Sequence, residues 1–346
     1  MAHRQDARDL STARLGPHFE ALVAAHARAA GRAGLVARRF VVAGRAIEVR
    51  LAGAALEAPL LTALSARAAP EGPADLTVFA FDTASTGEAL PELDWHAPGP
   101  DGAGRIVAIH EGTTRTLSLV DRETSRAFYW IHDAAAMPSF ESGAPLRAVL
   151  AWWLADQGRA VLHAAAVGVP AGGVLLAGKG GSGKSTTALA CLRAGLLFAG
   201  EDYVAVSERP APHVHALYGS AKLGAEPRVA LPGLEAANPG RTGGEKALYF
   251  LNATCADRLV DGFPLCAILL PRVAGGTTRL VPATAQDAYD AVLPSSVQQL
   301  PGLGRGGVQA FARLARALPV RRLELGTDVD AIPALIRDFI TRETSK

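Results

Sequence analysis

Gly173-Val174-Leu175-Leu176-Ala177 runs directly into Gly178-Lys179-Gly180-Gly181-Ser182-Gly183-Lys184-Ser185. The second part satisfies every fixed position of the phosphate-binding pattern G-x-x-x-x-G-K-[ST]. The five residues before it form an apolar run suited to a buried strand, and Thr186 to Ala194 reads as a helix closed by Gly195. A strand, a glycine loop and a helix in that order direct backbone N–H groups and the positive helix end at an anion. Glycines at 178, 180, 181 and 183 permit the close approach because no Cβ intervenes. Lys179, Ser182 and Thr186 complete the segment expected to hold the phosphates of a nucleoside triphosphate. Within it, Lys184 supplies a compact cation for the β- and γ-phosphates, and the Ser185 hydroxyl supplies one ligand to Mg²⁺. ATP and Mg²⁺ are therefore the expected cofactors.

The 346 residues, 49% of them hydrophobic, suffice for one large or two ordinary domains with real cores. Thirty-five basic residues against 33 acidic leave a formal charge of +2, evenly spread, which argues against nucleic acid or an anionic membrane as partner. Arg28, Arg32, Arg38 and Arg39 lie among alanines, but Asp6, Asp9 and Glu20 count against a transit peptide and favour an amphipathic surface helix. No secretory signal or membrane span is readable, and a cytoplasmic location is the expectation. Cys191, Cys255 and Cys266 are too far apart for a zinc site or a disulfide framework.

Periodicity predicts a helix at His18 to Ala30, a hairpin of Phe40–Val42 with Ile47–Leu51 turned at Ala43-Gly44, and a helix near Leu56 to Arg67. Strands follow at 76–81, 106–109, 116–120 and 127–131, with a Pro/Gly-rich loop over 98–104. Residues 1–140 thus read as a smaller α+β domain and 141–346 as an α/β phosphate-loop domain. Within the latter, Leu146 to Ala155 reads as a buried helix, and Val161 to Val167, which contains His163, as apolar strand material. The chain closes with a helix over 308–317, a strand over 321–325 and a helix over 332–341.

Leu196–Ala199 and Tyr203–Val206 are strand material on either side of Gly200-Glu201-Asp202. Eighteen residues separate Lys184 from Asp202, enough for one helix and a return strand beside the first, so that the acid pair faces the phosphates. A carboxylate there can hold Mg²⁺ or accept the proton of an attacking hydroxyl. A solvated turn is the plain alternative for such a pair.

Three pieces together resemble the HPr kinase/phosphorylase family, the bacterial serine kinases whose catalytic domain is related to phosphoenolpyruvate carboxykinase. They are His163 in Leu162-His163-Ala164, the loop with its leading strand, and the acid pair after a Leu192-Arg193-Ala194-Gly195 helix end; the match spans residues 160–207. The resemblance implies that Lys184 and Ser185 bind phosphate and metal, that Glu201 is the general base, and that Asp202 helps at the metal. It further implies that His163 lies near the active centre. The family has aspartate where this chain has Glu201, which leaves the division between Glu201 and Asp202 open. A buried histidine satisfied by backbone is the competing account of His163. The loop ends Lys184-Ser185-Thr186-Thr187 where the bifunctional members carry glutamate, and their arginine–glycine signature is not recognisable, which implies a kinase without the reverse activity. Relatives form oligomers, so a homo-oligomer is expected.

The expected function is an ATP/Mg-dependent kinase acting on a hydroxyl, with a serine of a protein or peptide as acceptor. A small-molecule kinase and a nucleotide-switched ATPase or binding protein are the alternatives. Lys222 could neutralise phosphate charge or be an ordinary lysine beside a turn. The loops over 241–246 and 294–305 could close on a ligand or be plain turns.

Overall fold

The computed structural model describes residues 7–9, 15–64, 69, 71–92, 104–224, 229–239, 245–300 and 303–345. The expected loop over 98–104 falls outside them except for Gly104, as do residues 241–244 of the second loop. The chain divides into two compact units, Met1–Asp156 and Gln157–Lys346, and both are mixed α/β.

The strands of the first unit are β1 (Ala7–Asp9), β2 (Leu35–Val42), β3 (Arg45–Ala52), β4 (Leu76–Asp82), β5 (Ile106–Glu111), β6 (Thr116–Asp121) and β7 (Arg126–Ile131). They form one sheet in the order β1-β5-β6-β7-β4-β3-β2. Its helices are α1 (Leu15–Ala33), α2 (Glu57–Leu61), α3 (Thr83–Thr86), α4 (Ser139–Ser142) and α5 (Arg147–Ala155). Helix α1 is amphipathic: Phe19, Leu22, Ala25 and Ala29 recur at helical spacing and bury against Phe81, Leu117, Phe128 and Trp130. On its polar face, Arg28 and Arg32 both engage Glu88. The β2–β3 hairpin turns at Ala43-Gly44 with positive φ at both positions, the twist that matches two paired strands. The helix expected over 56–67 is only the short α2 within the described residues. The boundary expected after residue 140 falls instead after Asp156, because α5, with Val149, Leu150 and Trp152 buried, packs against β6 of the first unit.

The second unit carries β8 (Ala160–Leu162), β9 (Ala164–Val169), β10 (Gly172–Ala177), β11 (Leu197–Gly200), β12 (Val204–Ser207), β13 (His213–Ala216), β14 (Ser220–Leu223), β15 (Ala247–Phe250), β16 (Gly262–Val273), β17 (Arg279–Pro282) and β18 (Val320–Leu325). Its helices are α6 (Lys184–Arg193), α7 (Ala285–Gln299), α8 (Gly304–Ala317) and α9 (Ala331–Thr344). The main sheet runs β11-β9-β10-β16-β13-β12-β8, with β18 on β16 and β17 on β18, while β14 and β15 pair apart. Strands β16 and β18 are parallel to β10 and β9 is antiparallel to it. Val174, Leu176, Ala267 and Leu269 point to one face, where Ala188 and Leu192 of α6 and Ile332, Ile336 and Ile340 of α9 cover them. Helices α7 and α8 pack together and contact β8, β10, β12 and β16.

The acid pair's return strand differs from expectation. Strand β11 pairs with β9, one place removed from β10, rather than with β10 itself. The consequence for the site is unchanged in direction: β10 and β11 both run antiparallel to β9, so their C-terminal ends emerge at the same edge of the sheet. The strand expected over 161–167 is interrupted at His163, because β8 pairs with β12 while β9 pairs with β10 and β11. The loop expected over 294–305 is mostly helical: α7 continues through Pro294 to Gln299 and α8 begins at Gly304. Burial of Val292, Leu293 and Ser296 against the sheet overrides the proline's missing N–H.

Leu176 is fully buried between α6 and α9. Leu176→Ala is expected to lower unfolding stability by about 2–5 kcal/mol, measured by denaturant titration; a loss under about 1 kcal/mol would contradict the packing described.

Candidate active site

The main sheet divides into two half-sheets, and the site lies where two runs of chain cross from one half to the other. Long strand β16 belongs to both: its first residues pair with β13, and the rest with β10 and β18. At the C-terminal end of β10, β8 gives way to β9 at His163, and β11 gives way to β12 across Glu201, Asp202 and Tyr203. Ala177 at the end of β10 pairs with Ala164 at the start of β9, so the glycine loop leaves the sheet beside His163. At each break the ladder is lost and side chains turn out of the pleat.

The loop takes its shape through its glycines. Gly183 has φ +100°, and a Cβ there would lie 2.3 Å from Leu325 Cδ1; at Gly178 a Cβ would lie 2.5 Å from Ser182 Oγ. Gly183 is the N-cap of α6 without any side-chain cap, which leaves the first amides of the helix open to an anion. Lys184 is 6% exposed and folds back onto the loop, donating to the Gly178 and Lys179 carbonyls. Burial lowers its pKa; the Glu201 and Asp202 charges oppose that, and Lys246 adds to the lowering.

The two acids part company. Glu201, 3% exposed, accepts the Ser185 hydroxyl on one oxygen and the Lys222 main-chain N–H at 3.0 Å on the other. Burial pushes its pKa up and the Asp202 charge adds to this, against the two hydrogen bonds that favour the ionised form. Asp202 meets His163 Nε2 at 3.1 Å and accepts from Lys222 Nζ at 2.8 Å. Burial opposes its ionisation, but the His163 hydrogen bond and the Lys222 cation outweigh burial and hold the carboxyl well below the usual range. His163 is fixed from behind as well. Its main-chain N–H donates to Ser296 Oγ at 2.9 Å, and its ring lies 5.6 Å from that of Tyr203, whose hydroxyl donates to Gln299 at 2.7 Å.

These groups surround a cavity of about 400 Å³. Lys179, Gly180, Gly181, Gly183, Lys184, Ser185, Thr186, His163 and Asp202 line it; Gly178, Ser182 and Glu201 do not. Ser182 Oγ is buried without a partner. Lys222, open on sequence grounds between neutralising phosphate and an ordinary lysine beside a turn, lines the cavity together with Lys246 of the loop expected over 241–246, and Val273, Leu325, Val329 and Ile332 form an apolar end. Ser296 and Gln299 carry no sequence signal, because their spacing on α7 has meaning only once the helix lies behind His163.

The donors suit a metal that arrives with its ligand. Ser185 and the adjacent Glu201 offer hard oxygens of the kind Mg²⁺ prefers. Among the described residues no group of three or more His, Cys, Asp or Glu could hold a metal by itself. Also among them, no helix is long and apolar enough to cross a membrane.

No family model matches the chain, and no curated protein matches it. Among solved structures it is similar to the Hpr(Ser) kinase/phosphatase from Coxiella burnetii, at 12% identity and a TM-score of 0.29. The alignment covers 54% of this chain and 95% of that one. The likeness is a distant structural similarity.

Lys222→Met removes the cation that holds Asp202 ionised. Because both side chains are partly exposed, the expected loss of stability at neutral pH is up to about 3 kcal/mol, the lower end for a broken buried pair. In the parent, the depressed Asp202 pKa contributes stability above the unfolded value of about 3.9, and this is lost as pH falls through the folded value. Without Lys222 that folded value rises, so the deficit of the variant should be widest at neutral pH and narrow below about pH 4. A deficit independent of pH would contradict the pairing.

Proposed function

We propose that this chain is an ATP- and Mg²⁺-dependent kinase that transfers the γ-phosphoryl group to a hydroxyl, with a serine of a protein or peptide as acceptor. The observation that carries the reading is the meeting, in one cavity, of a complete phosphate-binding loop with an ionised carboxylate held between a histidine and a lysine. The resemblance of residues 160–207 to the HPr kinase family supports a serine hydroxyl as acceptor. A location in the cytoplasm accords with it.

In this reading the loop amides and Lys184 hold the triphosphate, with Lys184 swinging from the Gly178 carbonyl to the phosphate oxygens. Mg²⁺, when bound, neutralises phosphate charge, and Ser185 with Glu201 is the pair that would hold it. The division of labour is thus the reverse of the one the family implies. Asp202 faces the cavity, whereas Glu201 is occupied by Ser185 and Lys222. Asp202 accepts the hydrogen bond of the acceptor hydroxyl and takes its proton as the new P–O bond forms. The bond from the γ-phosphorus to the β–γ bridging oxygen breaks, and the nucleoside diphosphate leaves. The low pKa of Asp202 makes it an orienting acceptor whose proton is taken late, in keeping with a loose transition state. His163 and Lys222 keep it aligned.

The test is γ-labelled ATP with Mg²⁺, incubated with the protein and a cell extract. Label is expected on protein, reduced about 10²–10³-fold by Lys184→Ala and about 10²–10⁴-fold by Asp202→Asn, with Glu201→Gln acting mainly through metal dependence. Label on a metabolite would favour a small-molecule kinase, and label released only to water a nucleotide-switched ATPase. Transfer undiminished in both the Lys184 and Asp202 variants would refute the site.

A further inference from the structure

The cavity has two chemically different ends, and they lie on opposite sides of the glycine loop. On the β9–β11 side stand His163, Asp202 and Lys222. Beyond β10, on the other side, the parallel strands β16 and β18 end at the same level, with Val273 paired to Leu325. Those two side chains reach the loop itself: a Cβ on Gly183 would lie 2.3 Å from Leu325 and 3.9 Å from Val273. Half-buried Val329 continues the apolar lining, and Ile332 at the start of α9, almost wholly buried, backs it. Val273 is 54% exposed, a large apolar side chain left open at this end of the cavity.

A triphosphate alone has no apolar surface to cover this end. With its terminal phosphate directed at Asp202, the remainder of a nucleotide extends across the loop toward β16 and β18. We propose that Val273, Leu325, Val329 and Ile332 form the nucleoside subsite, and that it takes a purine base by shape and contact without reading the base edge. The proposal rests on the loop binding a nucleoside triphosphate, as argued above. None of these four side chains, nor Gly326 beside them, offers a hydrogen-bonding side-chain group. Four main-chain N–H groups of the adjoining turns are engaged internally. The N–H groups of Ala274 and Gly275 donate to the Leu325 carbonyl, Gly326 N–H donates to Thr278 Oγ1 at 3.0 Å, and Thr327 N–H donates to the Gly276 carbonyl. Adenine and guanine differ at their edges and not in their stacking faces, so a site of this kind binds both.

The test is calorimetric titration of the full chain with Mg·ATP, Mg·GTP and Mg·tripolyphosphate, using the parent and the Val273→Ser/Val329→Ser double variant. Neither residue is buried, and the substitutions leave the charge unchanged. Expected are ATP and GTP affinities within about threefold of each other, a loss of about tenfold for both nucleotides in the variant, and tripolyphosphate binding within twofold of the parent, in keeping with the loss of two apolar contacts. Should the double variant melt early, Val273→Ser alone is expected to cost about threefold. Nucleotide affinities unchanged in the serine variants but abolished by Lys184→Ala would place the base elsewhere and overturn the subsite while sparing the loop's role. A tenfold preference for one purine in the parent would overturn the claim that the edge is unread. Failure of all three ligands to bind the parent would overturn the triphosphate reading and the subsite with it.

Discussion

The two crossings of the chain between half-sheets, from β8 to β9 and from β11 to β12, are the constraint on which the site depends. Where β8 separates from β9 and β11 from β12, backbone groups lose their ladder partners and must find others. His163 finds Ser296 for its N–H. The same gap frees the His163 and Asp202 side chains to meet at 3.1 Å. An unbroken sheet would send alternate residues to opposite faces and keep these groups apart.

Electrostatics then distinguish two adjacent carboxyls. Glu201 lies in the drier position, where its charge is disfavoured and only hydrogen bonds support it. Asp202, with a histidine and an ammonium beside it, keeps its charge despite burial. A pair of neighbouring acids pushed in opposite directions by their surroundings can divide two tasks; here burial and the Asp202 charge raise Glu201, while the His163 hydrogen bond and the Lys222 cation hold Asp202 down. Four lysines around the cavity, at 179, 184, 222 and 246, provide the positive field a polyanion requires.

The glycine loop, its strand and its helix are legible in sequence because their signal is contiguous: apolar run, glycines, lysine and hydroxyl follow one another over thirteen residues from Gly173 to Ser185. The α1 stripe and the Ala43-Gly44 turn are legible for the same reason, since periodicity and positive φ are local properties. Lys222 is not, because its meaning lies in reaching Asp202 across twenty residues. The His163 break escapes notice since Val161 to Val167 is uniformly apolar, and only the partners of β8 and β9 reveal that they diverge. Helix α7 hides behind Pro294 and its serines and glutamines, which look like turn chemistry until Val292 and Leu293 are buried. The apolar end of the cavity comes from the tips of β16 and β18, some fifty residues apart in sequence, and no window in the chain contains it.

The central claim is that the loop, the acid pair and Lys222 form one ligand-responsive unit where the chain crosses between the half-sheets. Amide hydrogen exchange with and without Mg·ATP tests this most directly. The account predicts slowed exchange together in residues 178–187, in 201–203 and around Lys222, and at the tips of β16 and β18, with little change in the first unit's β2–β3 hairpin. Protection confined to the glycine loop, or none anywhere, would contradict it.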